Sequence, residues 1–170
     1  MIASAAVSGS IVSVTAVTRG MTTVTVTARD PGGLTAEQDF AVAVPNRAPA
    51  MVGRIADLDV QVDSVAQVDV GVYFADPDGE DLEYRATSSE PTVAAVAVSG
   101  SVVTVTGVAA GGATVIVTAT DPGGLSAQQT FNVTVPNRAP TITAEVPAAE
   151  LFVGSSLSVD LAAHFGDPDG

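Results

Sequence analysis

The sequence contains no cysteine, no lysine and no tryptophan, and each absence closes a route. Without cysteine there is neither a disulfide nor a thiolate metal site, so the chain must be held by packing, hydrogen bonds or a hard cation bound through oxygen. All six basic residues are arginine, which excludes Schiff-base chemistry, a phosphate-binding P-loop and lysine–asparagine isopeptide cross-links. Aromatic residues make up only 4% of the chain. Any core must therefore be built from Val, Ala, Ile and Leu, and the β-branched members of that set favour strands. No apolar run approaches the roughly 20 residues that cross a bilayer as a helix. The start, Met1-Ile2-Ala3-Ser4, lacks the charged segment that opens a secretion signal, so no anchor or export signal is expected here.

What is present is mostly acid. Nineteen acidic residues against six basic ones give a net charge of −13, which repels phosphate backbones and anionic lipid heads. Neither a nucleic-acid partner nor membrane insertion is expected. Catalysis is not expected either: no nucleophile, base and orienting group occur together, and the paired acids sit in turns without His, Lys or Cys beside them. The single histidine, His164, aligns with Tyr73 ahead of Phe165 and Phe74, which makes it a packing position.

The strongest signal is self-similarity. Pro45-Asn46-Arg47-Ala48-Pro49 recurs as Pro136-Asn137-Arg138-Ala139-Pro140, a period of 91 residues. The register holds elsewhere without a gap. Asp30-Pro31-Gly32-Gly33-Leu34 returns as Asp121-Pro122-Gly123-Gly124-Leu125, and Asp-Pro-Asp-Gly at 76–79 returns at 167–170. The chain is thus read as the C-terminal part of one repeat (1–45), a whole repeat (46–136) and the N-terminal part of the next (137–170).

Within the whole repeat, alternation of apolar and polar residues is nearly continuous: Val68, Val70 and Val72; Val103 and Val105; Val115 and Val117; Phe131, Val133 and Val135. No segment sustains a helical period. Strands are expected near 55–62, 66–75, 81–88, 93–98, 101–107, 113–120 and 126–135, with Gly, Pro, Asn and Asp between them. Seven short strands in about 90 residues predict an all-β fold, a two-sheet Greek-key sandwich repeated in tandem. The proline-flanked 45–49 segment reads as a stiff linker.

Two resemblances meet in this repeat. The stretch Ser88-Ser89-Glu90-Pro91-Thr92-Val93-Ala94, followed by Ser99-Gly100 and by Val105-Thr106-Gly107-Val108-Ala109-Ala110-Gly111, resembles bacterial Ig-like repeats of the invasin and intimin type. Asp76-Pro77-Asp78-Gly79 with Leu82 and Tyr84, Ala119-Thr120-Asp121-Pro122-Gly123-Gly124, and the linker Asn46-Arg47-Ala48-Pro49 are similar to the cadherin-like family. In that family an Asp-x-Asp loop, a second Asp-bearing loop and an Asn-Ala-Pro linker gather calcium at module junctions. The resemblance implies an extracellular sandwich used in adhesion, or as a stalk in a large bacterial surface or secreted protein.

Strand direction supplies an argument independent of family. If successive strands alternate in direction, the loop at 76–79, the loop at 121–124 and the start of the repeat share one end. Asp76, Asp78, Asp121 and Asn46 are therefore the candidate metal ligands, Ca²⁺ the candidate ion, and Glu80 and Asp81 could add charge. Two other readings stand beside this one. Asp-Pro-Asp-Gly is a well-formed type I turn and Asp-Pro-Gly-Gly a type II turn, with Asp accepting backbone hydrogen bonds. Alternatively, Arg47 lays its guanidinium against Asp76 or Asp121 in place of a metal. Between repeats other surface acids drift (Asp57 to Ala148, Asp63 to Gly154, Glu37 to Gln128) while the loop acids persist. The linker carries Arg47 and Arg138 where cadherins place acidic ligands, and the loops at 17–20 and 108–112 hold no acid, which argues against a three-ion junction.

The function expected is a structural and adhesive repeat, calcium-stabilised at the module end, in a surface or secreted protein. Its partners would be neighbouring repeats and an unidentified protein or glycan ligand. The alternative is a carbohydrate-binding accessory module of a larger secreted enzyme, although only Tyr73 and Tyr84 could serve as sugar platforms beside the phenylalanines. Because the partial repeats at 1–45 and 137–170 supply complementary strands, head-to-tail self-association is also expected.

Overall fold

The structure is a computed structural model that describes residues 1–169. Gly170, which completes the second Asp-Pro-Asp-Gly, lies outside the described residues. In chain order the strands are β1 (Ala3–Ser8), β2 (Ile11–Ala16), β3 (Gly20–Arg29), β4 (Thr35–Val44), β5 (Ala50–Met51), β6 (Leu58–Asp59), β7 (Val65–Asp69) and β8 (Phe74–Ala75). There follow β9 (Glu83–Ser88), β10 (Ala94–Ser99), β11 (Val102–Gly107), β12 (Gly111–Thr120), β13 (Ser126–Val135), β14 (Thr141–Ile142) and β15 (Phe165–Gly166). The remaining regular elements among the described residues are two 3₁₀ turns, Val70–Tyr73 and Leu161–Ala163. The chain is all-β.

It divides into two compact units. One comprises Met1–Gly53, Val72–Glu83 and Ala119–Ala127; the other comprises Arg54–Gly71, Tyr84–Thr118 and the chain from Gln128 onward.

The second unit holds the sandwich. One sheet runs β10-β11-β7 and the other β6-β13-β12-β9. Period-two alternation puts one side of each strand into the space between the sheets: Val103, Val105, Val115, Val117, Phe131 and Val133 are all at most 1% exposed. Strand β6 lies parallel to β13, Leu58 opposite Val133, so the first strand of the sandwich lies beside its last. Passage from β6 to β7 uses a tight turn in which Ser64 N–H donates to the Gln61 carbonyl at 3.0 Å. Asp63 takes the left-handed conformation there, φ 61°. Gly107 packs under this turn, and a Cβ on it would stand 2.3 Å from the Gln61 carbonyl oxygen.

Two expected strands are altered. The strand read over 66–75 is broken, because β7 stops at Asp69 and a 3₁₀ turn follows. Asp69 Oδ1 accepts the Gly71 N–H at 3.0 Å and so ends the ladder. Val72, an inward position by alternation, is 64% exposed instead. The same break recurs one period later, where Asp160 Oδ1 accepts the Ala162 N–H at 3.0 Å and caps Leu161–Ala163. The strand read over 55–62 shrinks to Leu58–Asp59 and an isolated parallel bridge, Val62 to Gly107. Ile55 is buried but its N–H goes to the Gln129 side chain rather than to a neighbouring strand.

In the first unit β1 pairs with β2 and β3 with β4, both antiparallel, and β5 pairs with β8. No residue of 1–45 is fully buried. The linker and the loops at 76–83 and 119–127 belong to this unit, and they carry the candidate site.

Candidate functional site

Each acidic loop is first a turn. Asp76 Oδ1 accepts the Asp78 N–H at 2.6 Å, and its carbonyl accepts the Gly79 N–H at 3.1 Å, with Gly79 at φ 77°. Asp121 Oδ1 accepts the Leu125 N–H at 2.9 Å, and its carbonyl accepts the Gly124 N–H at 3.0 Å. The Asp30 loop repeats the second pattern, with Leu34 N–H on Asp30 Oδ1 at 2.9 Å. These bonds fully account for one oxygen of each aspartate as turn chemistry. The second oxygen of Asp76 has no hydrogen-bond partner among the described residues.

The linker engages both loops. Asn46 Nδ2 donates to Asp121 Oδ2 at 2.8 Å. Arg47 clasps the other loop three ways: its backbone N–H donates to Asp78 Oδ2 at 2.8 Å, Nε donates to Asp78 Oδ1 at 2.7 Å, and Nη2 donates to the Pro77 carbonyl. The clasp recurs one period on, where Arg138 N–H reaches Asp169 Oδ2 at 2.5 Å, Nε reaches Oδ1 at 2.6 Å and Nη2 reaches the Pro168 carbonyl. The Arg47 backbone N–H, and then its guanidinium, hold the Asp78 carboxyl below the usual carboxylate range against the opposing effect of burial. Arg138 does the same for Asp169.

Asp76, Glu80 and Asp121 converge, each offering a carboxylate oxygen within 4.8 Å of the others. Asp121 is 4% exposed. Burial pushes its pKa up, but the Asn46 amide and the N–H groups of Leu125, Gly123 and Gly124 together outweigh that and lower it. Three atoms here are buried without a hydrogen-bond partner among the described residues: Asn46 Oδ1, Asp76 Oδ2 and Glu80 Oε2. One cation is present, because Arg19 Nε lies 2.8 Å from Glu80 Oε1. Three carboxylates therefore face one guanidinium, and the orphaned atoms are all acceptors. Such a donor set fits a hard divalent cation, which takes carboxylate and amide oxygens, and leaving those oxygens unpaired costs free energy.

Of the four residues predicted as ligands, the structure brings Asp76, Asp121 and Asn46 together and places Asp78 on Arg47. Glu80, expected only to add charge, takes a place in the cluster. Arg47 meets Asp78, and not Asp76 or Asp121. The sequence reasoning does not single out Arg19, although it is the sole charged residue of the 17–20 loop.

No family model matches the chain, and no curated protein matches it. Among solved structures it is similar to domains 4 and 5 of the S-layer protein SbsC, with TM-score 0.40, 20% identity, and 72% of this chain and 69% of that one covered. It is similar also to extracellular cadherin domains 1–5 of protocadherin gamma B2, with TM-score 0.44, 12% identity, and 73% and 34% covered. A nucleoside hydrolase-related hypothetical protein from Saccharophagus degradans matches with TM-score 0.44 and 19% identity over 53% of this chain. The chain spans about a quarter of that protein, 26% of its length.

Proposed function

We propose that this chain is a structural and adhesive segment of a tandem array of sandwich repeats in a bacterial surface or secreted protein, with Ca²⁺ held at the module end by Asp76, Glu80, Asp121 and Asn46. The observation that carries the first half is the clasp of Arg47 on Asp78 and Pro77, reproduced by Arg138 on Asp169 and Pro168. A linker bound through main chain and side chain to the loop it precedes loses much of its freedom to swivel, and a charge-assisted bidentate bond is strong and directional. An array joined this way is stiff at every junction, which suits a stalk that holds a binding surface away from a cell. Its lateral partners would be a protein or glycan surface ligand. An accessory sugar-binding module is the second reading, weakened by Tyr73 and Tyr84, the tyrosines that could stack on a sugar, both being half-buried.

The second half rests on the orphaned oxygens of Asn46, Asp76 and Glu80. Arg47 is committed to Asp78, which leaves Arg19 alone to balance three acids. A ligand that binds only the folded state stabilises it by about 2.7 kcal/mol at one hundred times Kd. Thermal unfolding in millimolar Ca²⁺ should therefore run several degrees above that in EDTA, and Glu80→Gln should reduce the gap. Equal midpoints for the wild-type chain would remove the cation and leave the turns and the arginine clasps as the whole of the site.

A further inference from the structure

The edge of a sheet presents unpaired backbone groups, and folded proteins guard it with short strands, breaks, charges or proline. The sandwich of the whole repeat has four such edges, and three are guarded. Strand β6 is two residues long, β7 stops at Asp69 and gives way to a 3₁₀ turn, and β9 carries Glu83 and Arg85. Strand β10 has none of these devices. It pairs only with β11, in an unbroken register, and its residues Ala94-Ala95-Val96-Ala97-Val98-Ser99 include no charge and no proline.

Hydrogen-bond alternation identifies what this edge offers. The Val108 N–H donates to the Val93 carbonyl at 2.8 Å, so in the antiparallel ladder Ala95, Ala97 and Ser99 are the residues that bond to β11. The N–H and C=O groups of Val96 and Val98 therefore point away from β11, along the open edge. The Ala94 N–H, which points the same way, is taken by the Glu90 carbonyl at 2.9 Å. The side chains of Val96 and Val98 lie opposite Val105 and Val103, which are 0% exposed, yet are themselves only half-buried. The core is thus left partly uncovered where the sheet ends, and an added strand would cover it.

We infer that β10 pairs antiparallel with β10 of a second copy of this chain, about a two-fold axis at Ala97, which joins the two three-stranded sheets into one. In that register Val96 lies opposite Val98 of the second copy, and each such pair exchanges both of its backbone hydrogen bonds. Ala97 meets its own copy in the non-hydrogen-bonded site, where Cα atoms approach to about 4.5 Å. Ala97 is exposed on the outer face, and a methyl group suits so close an approach. Charge and symmetry favour a second copy over a foreign strand. A net charge of −13 opposes contact between copies, and β10 is an edge that brings no carboxylate to it. The same groups stand on both sides of the axis, so the contact is self-complementary and closes as a dimer. It involves no ion, and every strand in it belongs to the whole repeat.

Sedimentation equilibrium on the full chain over a concentration series, at about 0.15 M salt where distant charges are screened, tests this directly. Mass should rise with concentration toward twice that of one chain. Ala97→Lys and Ala97→Glu each set like charges directly opposite one another at the axis, so each variant alone should dimerise about fivefold more weakly or worse. An equimolar mixture of the two sets Lys against Glu and should restore the dimer. Because the Ala97 side chain is exposed, unchanged far-UV circular dichroism and an unchanged urea midpoint check that both variants fold. A wild-type chain of single-chain mass throughout overturns the inference. So does association of either variant at wild-type strength, which would put the contact on another surface. A mixture no more associated than its components overturns it too, because β10 would then not be meeting its own copy.

Discussion

Arg19 and Glu80 are bound side chain to side chain at 2.8 Å, one in the loop before β3 and the other in the loop after β8. The period places them in successive repeats. Arg19 has no counterpart of its kind, because the same position one period later is Ala110. The Arg47 clasp is therefore general to the linkers, whereas the Arg19 contact distinguishes one junction from the next.

Removing Arg19 should cost as much as the upper end of the range for a surface pair. An exposed ion pair contributes about 0.2–1 kcal/mol, but Arg19→Ala also leaves Asp76, Glu80 and Asp121 facing one another without a counter-charge. The expected loss is about 1 kcal/mol in EDTA at low salt, measured by chemical unfolding. Millimolar Ca²⁺ should shrink that loss if the ion takes over the neutralisation. A loss that is the same with and without Ca²⁺ would show that Arg19 and the ion do not share a site.

Acid should loosen the linker clasp. The Asp78 carboxyl is lowered by the Arg47 N–H and guanidinium, and Asp169 by those of Arg138. A folded-state pKa below the unfolded value of about 3.9 means that the native state holds fewer protons, so the contribution is whole above that value. It is lost as pH falls through the lowered folded pKa, while arginine stays charged. The melting temperature of the wild-type chain should therefore fall below about pH 4. Asp78→Asn should lower the neutral-pH midpoint and flatten the acid limb; an unchanged limb would assign the acid sensitivity to other carboxylates.

Much of this architecture was legible in the sequence, because alternation and turn residues are local signals. Val103, Val105, Val115 and Val117 alternate and do face inward. The break after β7 was hidden because Val68, Val70, Val72 and Phe74 keep the strand period through a 3₁₀ turn. The readable cue was Asp69 two residues before Gly71, a side chain able to take over a backbone N–H. At the site, strand direction alone implied that Asp76, Asp121 and Asn46 meet. It could not show that Arg47 would take Asp78, since that choice depends on where the linker backbone N–H points. Arg19 was illegible for a different reason: it breaks the period, and the period was the guide.

The turn between β6 and β7 offers a test that is independent of any ion. Asp63 sits at φ 61°, a left-handed conformation that costs an L-residue roughly 1–2 kcal/mol, less for Asp or Asn. The corresponding residue one period later is Gly154, at φ 88°, in a turn closed by the equivalent hydrogen bond. Asp63→Gly removes the steric cost but frees the unfolded chain, so the net gain should be about 0.5 kcal/mol. Asp63→Val, β-branched and unable to bond locally, should instead destabilise by about 1–2 kcal/mol. Gly107 faces this turn from β11, and there is no room for a side chain, since a Cβ would be 2.3 Å from the Gln61 carbonyl oxygen. Gly107→Ala must push the β6–β7 corner outward and should cost about 3 kcal/mol, the upper end for an overpacked core. Urea unfolding of the three variants should give that order, Asp63→Gly above wild type, then Asp63→Val, then Gly107→Ala. If Gly107→Ala unfolds like wild type, the corner is not packed against β11 as described.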